Sequence, residues 1–376
     1  MGLKMHAMFF RHGMVALRHP YATPAIIIAI LAAAIFIPGR RQAAGFLDME
    51  ASLTIRGLAI LALILGHLAQ YVLQRSIFDF SYGNYAVVAF LFLSGIGVVK
   101  RYGFGPLGMD FWRNRLLKLM IPLWLTMGLF IVMDYFLLGI RHDGAWVFLN
   151  LMGVFATNID NSINSTDWFI TFLLVMYVLY FLVSLIKANP LKKALALFFA
   201  CCAVFLGIRL LASRMPWIVN NIGIWRQYLF VFPVSIMFAL YLSGGGRLPE
   251  YLKRKKYVAV LLLPVVFVLL DSAGVYFVFK YLALMAGIVL FAGLIQASGF
   301  KSRALTFLGK YSYEIYILHF PFMVRYDLLL GRKPFVAAFF TYILLVVFLA
   351  TILNKISSRI LVSFKHGMGR VRGAEA

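Results

Sequence analysis

The chain has 376 residues, 63% of them hydrophobic and 13% charged, a balance that excludes a soluble globular protein and leaves no polar block long enough for a separate soluble domain. Its formal charge of +23 is a matter of membrane sidedness and not of nucleic-acid binding, because the lysines and arginines punctuate apolar runs. The expected class is an all-α integral membrane protein with about ten transmembrane helices and a short N-terminal membrane-associated helix.

Residues 1–51 begin with a basic arm containing Lys4, Arg11 and Arg18, followed by the apolar AIIIAILAAAIFI between Pro24 and Pro38. That run is shorter than the roughly 20 residues a spanning helix needs, so it is expected to lie at the interface or re-enter, and to cross only if its flanks contribute. No small-residue cleavage site precedes GRR, so a cleaved leader is not expected. Apolar runs of spanning length then follow at about 53 to 74, 84 to 100, 116 to 140, 167 to 187, 194 to 212, 226 to 243, 257 to 273, 279 to 298, 305 to 330 and 334 to 354. Between the third and the fourth, residues 145–156 (AWVFLNLMGVFA) are expected to form an interfacial helix over the outer mouth, and TNIDNSINST a turn-rich loop. With Arg56 on the cytoplasmic side, most of the 36 lysines and arginines fall on that side, which orients the bundle under the positive-inside rule. Residues 355–376, with Lys355, Arg359, Lys365, Arg370 and Arg372, then form a basic cytoplasmic tail attracted to anionic head groups.

Of the 7 histidines, His67 and His319 fall within spans. His67 follows Arg56 by close to three full helical turns, so the two share one face about 16 Å apart. Gly66, Gln70 and Tyr71 stand around it, the pattern of a wet pocket; the ordinary alternative is a packing histidine with one hydrogen bond to a neighbouring helix. His319, in YSYEIYILHFPF, fits an interfacial residue and a site residue equally. Among carboxylates inside spans, Asp134 lies near an external end, and Glu314 follows Lys310 at the spacing of an ordinary helical ion pair. No His, Cys, Asp and Glu cluster has metal-ligand spacing, so no metal is expected. Cys201 and Cys202, adjacent in an apolar run, form no disulfide framework. GFGPLG at 103–108 is expected to be a turn and not a phosphate loop. Lys100, Arg101, Arg113, Arg115 and Lys118 gather on the cytoplasmic side of one hairpin. Lys100 and Arg101 are explained by topology, whereas Arg113 and Arg115, expected to open the next helix, suit bidentate binding of phosphate.

IRGLAILALILGH, AFLFLSGIGV, FWRNRLLKLMIPLW, DWFITFLLVMYVLYFL and FLGKYSYEIYILHFPF occur in an order and spacing that resemble the acyltransferase family 3 membrane proteins, over about residues 52–354. Arg56 and His67 match that family's arginine, ten residues, histidine motif, and Arg113 with Arg115 its Arg-x-Arg motif. The resemblance implies a membrane-bound O-acyltransferase. Its donor would be cytoplasmic acyl-CoA, acetyl-CoA foremost, and its acceptor a hydroxyl of a cell-surface polysaccharide or lipid-linked glycan of the cell envelope. It further implies a plasma (inner) membrane location, His67 as general base with Arg56, and coenzyme A phosphates on Arg113 and Arg115. The expected substrate-binding residues are Gln70, Tyr71, Trp168 and His319, with Trp146, Asp160 and Asp167 at an outer acceptor entrance. Partners are then acyl-CoA, the glycan and membrane lipids, with no nucleic acid. Three features depart from the family pattern: the N-terminal arm, the lack of a following esterase-like domain, and Glu314 where a neutral residue is expected. A transporter of an anionic solute or lipid-linked sugar is the competing class, although the broken-helix pairs and internal repeats typical of such carriers are not visible in the sequence. A sensor or scaffold, which needs no coenzyme A, is the third.

Overall fold

The computed structural model describes residues 15–16, 22–35, 38–40, 46–74, 82–153, 163–164, 166–214, 224–243, 277–327, 329–331 and 334–374. The apolar run expected at 257 to 273, the basic arm before Val15, Asp160 and most of the 157–166 loop lie outside the described residues. In chain order the elements are β1 (Val15–Ala16), α1 (Ala22–Ile35), β2 (Pro38–Arg40), α2 (Met49–His67), β3 (Leu73–Gln74), α3 (Tyr82–Tyr102), α4 (Met109–Met133), α5 (Gly144–Leu151), α6 (Trp168–Ser184), α7 (Pro190–Arg214), α8 (Trp225–Tyr228), α9 (Val231–Ser243), α10 (Phe277–Ser298), β4 (Phe300–Ser302), α11 (Arg303–Lys310), α12 (Ser312–Phe320) and α13 (Phe335–Ala374). Single π-helical turns extend α2 (Leu68–Val72), α4 (Asp134–Leu138) and α12 (Pro321–Arg325). The strands are bridges of two or three residues, β1 parallel to β3 and β2 antiparallel to β4, so the protein is all-α in substance.

Among the described residues 7 helical stretches are long and apolar enough to cross a membrane: Met49–Val72, Gly83–Tyr102, Met109–Leu138, Pro190–Leu210, Trp225–Ser243, Tyr281–Ser298 and Phe335–Phe364. This is a multi-pass membrane protein. Of the ten expected runs, the one at 257 to 273 lies outside the described residues, and two others differ locally. The run expected at 167 to 187 is a shorter apolar helix, α6, of 17 residues; the N-terminal helix expected to be short is α1, with 14. The run expected as one span at 305 to 330 is broken at Tyr311, whose φ of −104° and ψ of 12° leave the helical region; α12 starts at the next residue. Pro321, which has no N–H to donate, then opens a π turn. At the far end, the residues expected as a tail continue α13 without a break to Ala374.

The described residues divide into two compact units, one holding 107–175 and 313–374, the other the remaining residues up to 106 and from 176 to 312. In the second of these, α2 starts on an Asp48 cap whose carboxylate accepts from the Ala51 N–H at 2.9 Å, and Glu50 in the first turn pairs with Lys301 at 2.6 Å. Lys100 donates to the carbonyls of Phe46 and Leu47, the latter at 2.8 Å, closing the turn ahead of α2. Two glycines let α2 and α11 meet backbone to backbone. A Cβ on Gly57 would overlap the Leu305 carbonyl, and one on Gly309 the Leu53 carbonyl. Lipid offers little hydrophobic drive between helices, so close approach through small residues supplies the packing. Gly95 of α3 makes the same allowance for Ser235 of α9.

In the unit built from 107–175 and 313–374, α4 packs on α13. Tyr313 donates to the Leu119 carbonyl at 2.6 Å. The helix expected over the outer mouth is α5, capped by Asp143, which accepts from the N–H groups of Ala145 and Trp146, and its far end is held by Trp124, whose indole N–H donates to the Leu151 carbonyl at 2.6 Å. Gly153, with φ at +69°, ends it.

Candidate active site

Arg56 and His67 stand on the single unbroken helix α2, both half-buried. His67 is its last α-helical residue, and the wider π turn begins beside it, closed by the Leu73 N–H on the Leu68 carbonyl. An inserted π turn re-aims the side chains around it, and such turns are frequent at functional sites. Here it brings the Tyr71 ring to 5.7 Å from the imidazole, at 33°, while Gln70 points to an exposed position. The structure therefore groups Arg56, His67 and Tyr71 in one unit. Arg113, Arg115, Trp168 and His319 belong to the other.

Arg113 and Arg115 do not open their helix. Because α4 begins at Met109, Asp110 occupies the first turn and supplies the negative charge that a helix N-terminus favours. Arg113 follows one turn later, its guanidinium 3.4 Å from the Asp110 carboxylate. Two residues on an α-helix are separated by about 200° of rotation, so Arg113 and Arg115 leave opposite sides of α4 and do not fork onto one phosphate from one face. Each can meet a different phosphate.

Glu314 is buried and accepts from the Asn354 amide at 2.7 Å. The break at Tyr311 takes it off the helix of Lys310, whose ammonium lies over the Tyr311 ring at 5.3 Å. Trp168 is half-buried at the head of α6, edge-on to Phe169. Asp167, expected at an open entrance, is fully buried. His319 is also fully buried, its Nδ1 2.6 Å from the Tyr316 carbonyl. A carbonyl only accepts, so Nδ1 carries the proton.

Sequence reasoning missed one polar centre entirely. Asp134, fully buried where α4 turns π, accepts from Arg325 through Nε at 2.7 Å and Nη2 at 2.6 Å. His142 Nε2 stands 2.6 Å from the same carboxylate, and the Tyr326 hydroxyl 2.9 Å. The intramembrane position of Asp134 was the available signal; its partners were not.

The 103–108 turn is pinned by Tyr180, which donates to the Gly103 carbonyl, and by buried Lys193, which donates to the carbonyls of Phe104 and Ser184 at 2.8 and 2.7 Å. The cavity beside Lys193 measures about 10 Å³, room for one water at most and far too small for a thioester. Among the described residues no group of three His, Cys, Asp or Glu side chains is placed to hold a metal ion.

Comparison with characterised proteins and with solved structures returns no match. The family model described as an acyltransferase domain matches residues 51–355, a stretch that runs from the first turn of α2 into α13 and includes Arg56, His67, Arg113, Arg115, Trp168 and His319. The chain therefore belongs to acyltransferase family 3.

Proposed function

We propose that this acyltransferase moves an acyl group, acetyl foremost, from cytoplasmic acyl-CoA to a hydroxyl of a surface glycan or lipid-linked saccharide, with His67 as general base. The supporting observation is the position of His67, at the point where the helix carrying Arg56 turns π beside the Tyr71 ring. The imidazole takes the proton of the acceptor hydroxyl as its oxygen attacks the thioester carbonyl. The carbon–sulfur bond then breaks, and the imidazolium returns the proton to the departing sulfur, so donor and acceptor exchange an acyl group for a proton with nothing left over. Arg56 marks the donor end of the helix. Arg113 and Arg115 take separate phosphates of coenzyme A, whose long pantetheine arm lets the thioester reach away from them.

The test is purified protein in proteoliposomes, given radiolabelled acetyl-CoA and an extract of surface glycan. Label is expected on the glycan, and His67→Ala is expected to reduce transfer about 100-fold or more, the usual contribution of a general base, with normal membrane insertion. Retention of more than about a tenth of the turnover excludes His67 as the base. Glycan carried across the bilayer unlabelled points instead to a transporter.

A further inference from the structure

Asp167 is the one carboxylate among the described residues that is fully buried with neither oxygen hydrogen-bonded. It stands directly ahead of α6, where an aspartate side chain ordinarily accepts from the N–H two or three residues on. Here the N–H groups of Ile170 and Thr171 reach its backbone carbonyl instead, at 2.9 and 3.1 Å. The side chain is left out of the helix it precedes. Among the described residues, the neighbouring donors are engaged elsewhere. The Tyr316 hydroxyl donates to the Thr166 carbonyl, Asn164 Nδ2 to the Ile317 carbonyl at 2.7 Å, and the Thr166 hydroxyl to Asn164 Oδ1 at 2.8 Å. The His319 ring, tilted 42° to the Tyr316 ring at 5.9 Å, directs its Nδ1–H to the Tyr316 carbonyl. A buried acceptor without a donor is costly, and in a membrane such a group marks a functional site by default. A group that brings its own hydrogen-bond donors would satisfy it.

We infer that Asp167 is the acceptor-binding carboxylate, receiving hydroxyl hydrogens of a saccharide, with Trp168 next to it offering a face for the sugar ring. The inference rests on the proposed acyl transfer to a glycan and names the residue that selects the acceptor. A carboxylate accepts from two neighbouring hydroxyls at once, as a vicinal diol presents them, and an acceptor-only site rejects the thioester carbonyl and phosphates of the donor, which bring no donor of their own.

Asp167→Asn keeps the shape and replaces one acceptor oxygen by an N–H donor. In nanodiscs, with the glycan extract as acceptor, it is expected to raise the acceptor KM at least tenfold while the acetyl-CoA KM stays unchanged. The thermal midpoint of the unliganded Asp167→Asn and Asp167→Leu variants is expected to equal or exceed that of the wild type, since no native side-chain hydrogen bond is lost. An unchanged acceptor KM, an equal rise in the donor KM, or a lowered midpoint in Asp167→Asn would overturn the assignment. If the wild type transfers no acyl group at all, the functional reading fails, and protection by methyl glycosides decides the carboxylate separately. Methyl β-glucoside or methyl β-galactoside raising the midpoint of the wild type but not of Asp167→Asn supports it; equal or absent protection in both overturns it.

Discussion

Asp134 persists in an apolar bundle because Arg325, His142 and Tyr326 converge on its two oxygens. Removing one member of such a set is worse than removing all, since a buried cation is left uncompensated. Asp134→Ala is therefore expected to destabilise the protein by about 3 to 5 kcal/mol, whereas Asp134→Leu combined with Arg325→Met is expected to recover most of the loss. Thermal unfolding in nanodiscs checks both; a single Asp134→Ala variant as stable as the wild type would show that packing, not this ion pair, holds the π-turn end of α4. The pair also shows where sequence reading stops. Asp134 was visible as a carboxylate in a span, but Arg325 lies 191 positions away, and nothing in local spacing connects them. Arg56 and His67 were legible for the opposite reason: both lie on one helix, where geometry follows from counting residues.

At the scale of elements, the contact between α2 and α11 fixes the helix that carries the proposed base. Its tolerance is set by two missing side chains. Gly57→Val and Gly309→Val each push a branched side chain into a facing carbonyl and are expected to abolish monodisperse protein in size-exclusion chromatography. Gly97→Ala is the control, because a Cβ there meets nothing within 4 Å and alanine gains about 1 kcal/mol of helix propensity. Wild-type yield from either valine variant would refute the close contact. The apolar runs announced α2, α3, α4, α9 and α10 because burial in lipid demands an uninterrupted hydrophobic stretch. They did not announce the break at Tyr311, since no proline marks it and Gly309, Lys310, Ser312 and Glu314 around it sit inside a run whose mean hydropathy still allows a span. The π turns after His67, from Asp134 and from Pro321 were equally silent. Each adds one residue to a turn without changing the character of the sequence, and each nonetheless sets the direction of a polar side chain.

For the molecule as a whole, the uneven distribution of basic residues yields a prediction about sidedness. If the basic connections face the cytoplasm, sealed inside-out vesicles supplied with external acetyl-CoA are expected to acylate glycan trapped in their lumen, and right-side-out vesicles to require donor loaded within. Equal activity in both with external donor would remove the assigned orientation. The family match stops at residue 355, yet α13 does not. Its 40 residues make a rod about 60 Å long at 1.5 Å per residue, about twice the hydrocarbon thickness of a bilayer. The candidate span Phe335–Phe364 takes 30 of those residues, and the helix continues past it to Ala374 without a break, joined to the segment that packs on α4. A grip on its outer end, whether by a head-group layer or a protein, is a torque applied to the transmembrane part, so the rod gives the aqueous phase a lever on a helix otherwise sealed within the membrane.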